Sequence, residues 1–212
     1  MMDDVSPEIS TYHQAMAAQK RAAIIGAATG LFLRSGYAGT SLAKVAIAAD
    51  VSKATLFKQF PTKAALFDAI VTDYWRPQHE GDHDQPSTGD LTAGLETVGR
   101  RYVALLTRPG MADLFRIVIA EAPRFPELGQ THFRLGKMPF FDSVRSYLEA
   151  ERDSGNVELS DASLAATQFL GMIADFVLWP RMLLLDYSPS DEAMDEAVVE
   201  AARTMRARYA TT

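Results

Sequence analysis

Apolar positions along this chain recur at helical rather than strand spacing almost throughout. Ile24, Ala28, Leu31 and Phe32 follow the i, i+4, i+7, i+8 rhythm of one buried stripe. They predict a first helix over residues 12–35, closed at Gly36, where a helix-ending glycine belongs. The acidic, polar residues 1–12 before it are expected to be a mobile arm. Leu42, Val45 and Ala46 predict a short helix over 41–48, capped by Thr40 or Ser41, whose hydroxyls accept from otherwise unpaired N–H groups. Ser52 caps the next. Val51 and Leu56 flank that cap as a hydrophobic staple, and Leu56 and Phe60 share one face. Pro61 ends this helix, because the residue before a proline avoids the helical region, and Thr62 caps another over 62–76.

Residues 77–90, PQHEGDHDQPSTGD, form an acidic loop punctuated by proline and glycine. Asp90 then caps a segment with Leu91, Leu95, Val98, Tyr102, Leu105 and Leu106 at helical spacing, broken at Pro109-Gly110. Helical patterns follow over 111–122, 127–152, 161–186 and 190–209, with interruptions expected in the second at Gly136 and Pro139. No strand-like alternation of useful length occurs. The predicted fold is all-α with about nine helices. A three-helix unit over 12–60 precedes a helical unit over 61–212, with 61–76 as the connecting helix.

The stretch Gly36–Phe67 carries the functional signal. A short helix, a tight turn and a short basic helix make a helix-turn-helix, whose second helix can enter a DNA major groove. The net charge of −6 over 212 residues conceals an asymmetry that supports this reading. Residues 10–65 hold seven Lys and Arg against Asp50 alone, a surplus of +6, which leaves −12 for the rest. A basic module on an acidic body is attracted to phosphates while the body is held off them.

The residues also carry a resemblance. G-Y-x-x-T-S, V-A-x-A-A-D-V-S-K-A-T-L-F-K-Q-F and P-T-K-x-x-L-F, between Arg21 and Phe67, resemble the DNA-binding domain of TetR-family transcriptional regulators. LFRIVIAEAPRFPELG, HFRLG and YLEAERDSG resemble the C-terminal domain of the AefR-like subgroup. The resemblance implies a ligand-responsive homodimer, most simply a repressor released from a pseudo-palindromic double-stranded operator by a small hydrophobic effector. Its motif places Ser52, Lys53, Ala54, Thr55, Phe57, Lys58 and Gln59 on the reading helix. Lys53 and Lys58 suit guanine edges or phosphate, and Ala54 a thymine methyl. Thr40, Ser41, Lys44 and Lys63 are expected to anchor the DNA backbone, Lys63 by family analogy. Two positions depart from the family. Asp50 stands where glycine is usual, and aspartate tolerates the left-handed turn conformation better than most residues. Phe57 stands where a phosphate-bonding tyrosine is common, which weakens that contact and leaves packing as its expected role.

The family's pocket lies among the middle helices. Candidate liners are Trp75, Tyr102, Leu106, Phe115, Ile119, Phe133, Met138, Phe140 and Phe141, with Arg116, Glu121, Arg124 and His132 as polar groups that either orient a ligand or form surface pairs. The apolar 161–186 pattern must be covered on every side, so part of it is expected to meet a second copy. Leu164, Phe169, Met172, Phe176, Trp179 and Met182, with Met194, Val198, Ala202 and Met205 from the last helix, are the candidate dimer contacts.

Other chemistry finds little support. The chain has no cysteine, which removes disulfides and thiolate metal sites. His79 and His83 are four apart, but Gly81 and the flanking prolines oppose the helix a ligand pair would need, so no metal site is predicted. No GxSxG, HExxH, paired ExxH or phosphate-binding loop is present, so neither an enzyme nor a cofactor is predicted. The most apolar stretch is interrupted by Asp175 and closed by Pro180-Arg181, which argues against a membrane span and for a soluble, cytoplasmic protein. A helical adaptor with a basic interaction module is the alternative reading.

Overall fold

A computed structural model describes residues 7–76 and 85–211. Those residues form eleven α-helices and one π-helical turn. No β-strand occurs among them, only an isolated bridge between Val157 and Ala210. The first four helices are α1 (Pro7–Gly39), α2 (Leu42–Ala48), α3 (Lys53–Gln59) and α4 (Lys63–Trp75). Next come α5 (Leu91–Leu106), α6 (Met111–Glu121) and α7 (Pro126–Thr131). The π-turn (His132–Lys137) joins α7 to α8 (Met138–Asp153). The chain ends with α9 (Ala162–Val177), α10 (Trp179–Leu183) and α11 (Asp191–Tyr209).

Local chemistry fixes the helix starts. Ser41, Ser52, Thr62, Asp90, Asp161 and Ser190 each accept a backbone N–H from the first turn that follows. Three elements differ from the sequence expectation. The first helix begins at Pro7, not residue 12, and a proline in the opening turn gives up no hydrogen bond the helix needs. The 127–152 pattern is not cut at Gly136 and Pro139. The π-turn takes up the irregularity there, and Pro139 lies in the first turn of α8. The 161–186 pattern splits into α9 and α10 ahead of Pro180. The His79–His83 pair lies outside the described residues. No described helix is long and apolar enough to cross a membrane.

Two apolar clusters hold the helices. One joins Ile24, Ala28 and Phe32 of α1, Val45 of α2 and Leu56 of α3 to Leu66, Phe67 and Ile70 of α4, then runs on into α6 and α7 through Met111, Leu114, Ile117 and Leu128. The other is built from α5, α8, α9 and α11, around Leu95, Tyr147, Phe169, Ile173 and Val198. The helix-turn-helix therefore shares a core with α6 and is more than threaded to the rest of the chain. Polar contacts tie the same parts together. Arg108 Nη1 donates to the carbonyls of Asp73, Tyr74 and Arg76, closing the C-terminal end of α4 from the corner after α5.

Candidate functional site

The turn between α2 and α3 is built by its own backbone. Val51 N–H donates to Ala46 at 3.0 Å and Asp50 N–H to Ile47 at 3.2 Å. Asp50 adopts the left-handed conformation, φ 52°, as expected of an aspartate replacing glycine. Leu56 and Phe60 are buried beneath α3, and the Arg21 guanidinium lies over the Phe60 ring, 4.9 Å from its centroid. Ser52, Lys53, Ala54, Phe57 and Lys58 are consequently left exposed, with Thr55 and Gln59 half-buried. Ser52 Oγ accepts the Thr55 N–H and lies 2.8 Å from the Thr55 hydroxyl, so both are occupied in ordering the first turn of α3.

Phe57 is not a packing residue. It is 47% exposed on the same short helix as the two lysines, and Ile47 on α2 is 77% exposed. Phe57 lies off the face that Leu56 and Phe60 turn to the core, and Ile47 off the face of Val45 and Ala46.

The four predicted backbone anchors divide. Ser41 and Lys44 are exposed; Ser41 caps α2, and Lys44 Nζ donates to Gly39 O at 2.9 Å. Thr40 is buried, and its hydroxyl points to the carbonyls of Gly36, 2.9 Å away, and Leu31, 3.2 Å away. It closes the α1–α2 junction and offers nothing to a phosphate. Lys63 is also turned inward. Its ammonium donates to Tyr37 O at 2.5 Å and Thr40 O at 3.1 Å and lies 4.3 Å from the centre of the Tyr37 ring. Burial pushes its pKa below the usual lysine value, and the Glu121 carboxylate opposes that shift. Lys63 thus staples the turn after α1 to the start of α4.

Glu121, at the end of α6, accepts the Tyr37 backbone N–H at 2.8 Å. The same carboxylate oxygen occupies the space a side chain at residue 36 would need, so Gly36 is required twice over, by its φ of 69° and by this approach. Glu121 is thereby a link between helices rather than a ligand-orienting group. Arg116 is similarly engaged, with Asp113 at 2.6 Å and with Arg181 O.

A cleft of about 280 Å³ opens between α4, α5, the π-turn and α8. Trp75 and Phe140 line it, as expected. The other predicted liners do not. Leu106 is core, and Tyr102 is buried behind Phe140, stacked at 5.1 Å. Phe115 packs on Trp75 and His132, Met138 and Phe141 are half-buried away from the cleft, and Ile119 and Phe133 face solvent. His132 is buried among these rings with neither nitrogen hydrogen-bonded, and burial, reinforced by the Lys137 charge, lowers its pKa to about 4. Gly136 abuts the edge of the Trp75 indole, leaving no room there for a side chain.

The predicted dimer contacts also separate into two sets. Phe169, Met194, Val198, Ala202 and Met205 are buried in their own chain, where α11 packs on α5 and α9, and are unavailable to a partner. Leu164, Met172, Phe176 and Trp179 are exposed along α9 and into α10, and Met182 is half-buried. Leu183, Leu184 and Leu185, not singled out from sequence, continue this apolar surface, with Leu183 87% exposed.

The chain is similar to known proteins over most of its length. Residues 24–70 match the bacterial regulatory proteins of the tetR family, and residues 93–211 match the AefR-like transcriptional repressor C-terminal domain. The uncharacterized HTH-type transcriptional regulator YvkB of Bacillus subtilis (strain 168) is 23% identical over 155 residues, 73% of this chain and 79% of that one. A solved structure from Mesorhizobium loti MAFF303099, assigned to the TetR-family transcriptional regulators, is 27% identical, covers 92% of this chain and 98% of its own, and superposes with a TM-score of 0.74. The flavonoid-responsive regulator FrrA is 27% identical, covers 91% and 98%, and has a TM-score of 0.67.

Proposed function

We infer that this chain, which belongs to the TetR family of transcriptional regulators and carries an AefR-like C-terminal domain, is a homodimeric repressor that reads a pseudo-palindromic operator through α3 and releases it when a small molecule enters the second unit. The observation that carries this reading is the division of α3: Leu56 faces the core while Lys53, Ala54, Phe57 and Lys58 stand free on a basic module. Two lysines give phosphate or guanine contacts, and Ala54 and Phe57 give apolar contacts to base methyls or sugars. Residues 12–60 would read DNA, and residues 61–212 would bind the effector and dimerise, with α4 joining them.

The exposed apolar strip from Leu164 to Leu185 supplies the face for a second copy. A closed two-fold arrangement sets two copies of α3 toward half-sites one or more helical turns apart. An effector bound in the cleft between α4, α5 and α8 would favour a conformation in which that spacing is wrong, and so lower operator affinity by linkage. A relative of known response, FrrA, is named for flavonoids, which agrees with an apolar, aromatic-walled site. Such a protein acts in the cytoplasm, where its operator lies.

Selection of bound DNA from a random pool tests the reading. A half-site repeated about a two-fold axis is the expected product. Retention of all sequences alike would favour the adaptor alternative.

A further inference from the structure

We propose that two copies of this chain meet through an antiparallel crossing of α9 with α9 of the partner subunit. The two-fold axis passes between Gly171 and Met172, and Gln168 of each copy donates a hydrogen bond to Asp175 of the other. The proposal rests on the dimer in the regulator reading and says how that dimer is built.

Exposure on α9 follows a single stripe. Leu164, Thr167 and Gln168, then Gly171 and Met172, then Asp175 and Phe176 are exposed, and every residue between them is buried or half-buried. Trp179 continues the stripe at the start of α10. Turned end for end about the point between Gly171 and Met172, the stripe falls on itself: Leu164 on Trp179, Thr167 on Phe176, and Gln168 on Asp175. An antiparallel pair with its two-fold axis at that point sets apolar groups opposite apolar groups and an amide opposite a carboxylate. A parallel pairing would set each residue against its own copy and bring the two Asp175 carboxylates together, which is repulsive.

The polar pair is already half prepared. The Tyr209 hydroxyl donates to Gln168 Oε1 at 2.6 Å, which commits the amide oxygen and leaves its NH2 hydrogens without a partner among the described residues. Asp175 has no ion pair or side-chain hydrogen bond among the described residues, and it sits between Met172 and Phe176 on the apolar strip. A carboxylate enters an apolar seam only where donors meet it, and the free amide lies at the matching position.

Gly171 supplies an independent observation. A glycine in the middle of a helix weakens it, and nothing in its own chain requires one here, since a side chain at Gly171 would meet nothing within 4 Å. A second helix crossing at this point does require it, because the missing side chain lets the two backbones approach.

The chain has no cysteine, so disulfide trapping of the full chain reads the register directly. In this arrangement Thr167 lies about 14 Å along the helix from Thr167 of the partner subunit, and Phe176 is equally far from its own copy. A disulfide needs Cα atoms within about 7 Å. Thr167→Cys and Phe176→Cys are each expected to stay uncrosslinked alone and to give a covalent dimer when the two are mixed and oxidised. Asp175→Lys and Gln168→Glu should each raise the dimer dissociation constant at least about tenfold. Both changes in one chain restore opposite charges across the axis and still leave the Tyr209 hydroxyl an acceptor, so most of the loss should be recovered. Gly171→Leu should dissociate the dimer with unchanged helical circular dichroism. A parent chain that is monomeric overturns the proposal together with the dimer of the regulator reading. A dimer that cross-links through either single variant, fails to cross-link in the mixture, is not recovered by the charge swap, or is unmoved by Gly171→Leu overturns the crossing and leaves the regulator reading intact.

Discussion

The Glu121 carboxylate accepts the Tyr37 backbone N–H across 84 residues of sequence, at 2.8 Å. It joins the last turn of α6 to the junction between α1 and α2, directly behind the helix-turn-helix. Replacing Glu121 by alanine leaves the Tyr37 N–H without that acceptor, with an expected loss of about 1–3 kcal/mol in urea unfolding. Gly36→Ala should also destabilise, through its positive φ and its collision with the same carboxylate. Because that collision vanishes when Glu121 is shortened, the double variant should lose less than the sum of the two. Additive losses would mean the two sites are uncoupled.

Lys53 and Lys58 are exposed, so their replacement should leave folding intact and act on DNA alone. In the double alanine variant, operator affinity should fall, and the slope of log affinity against log salt should shrink by about 0.9 for each phosphate no longer neutralised. Gel-shift titrations at several salt concentrations read both quantities; an unchanged slope assigns the lysines to other work.

Phe57→Tyr restores a hydroxyl at an exposed ring. Thermal stability should stay the same. Operator affinity should rise by the worth of one net hydrogen bond, about 0.5–1.5 kcal/mol or roughly two- to twelvefold, if the ring edge faces a phosphate. No gain in a binding isotherm would place Phe57 against a base or sugar instead.

Trp179 is 57% exposed at the start of α10. Trp179→Glu puts a charge on the apolar strip without touching the core. Sedimentation at micromolar concentration should show a dimer for the parent chain and a monomer for the variant, with unchanged helical circular dichroism. A parent chain that sediments as a monomer removes the dimer from the proposed function.

His132 carries a pH dependence. Its folded pKa of about 4 lies below the unfolded value near 6.5, so the unfolded chain binds more protons between these values. The resulting stability is complete above pH 6.5 and is lost as pH falls towards 4, by roughly 3 kcal/mol in all. His132→Phe, which keeps a ring against Trp75 and Phe115, should flatten the unfolding free energy over that window.

Much of this was legible in the residues. Capping by Ser52, Thr62 and Asp90, burial of Leu56 and Phe60, and the left-handed Asp50 all follow from short-range chemistry that spacing exposes. What was misread depends on distant partners. Lys63 looks like a free cation until Tyr37 and Thr40 are brought beside it, and Val198 looks like interface until Gly99 of α5 is laid against it. The cleft took only Trp75 and Phe140 from nine apolar candidates, because periodicity reports that a side chain is inward-facing and not whether core or cavity awaits it.

Arg108 and Lys63 sit at opposite ends of α4. One grips its last carbonyls from the α5–α6 corner, and the other grips the turn that feeds α2. A thirteen-residue helix is about 20 Å long, so held in this way it behaves as a strut with a joint at each end. A tilt of about 5° at the Arg108 joint carries the Lys63 end about 2 Å, more than its hydrogen bonds can stretch without parting. Under the proposed function, an effector in the cleft beside Trp75 would push on a rigid member, and the displacement would emerge at the start of α4, next to α3.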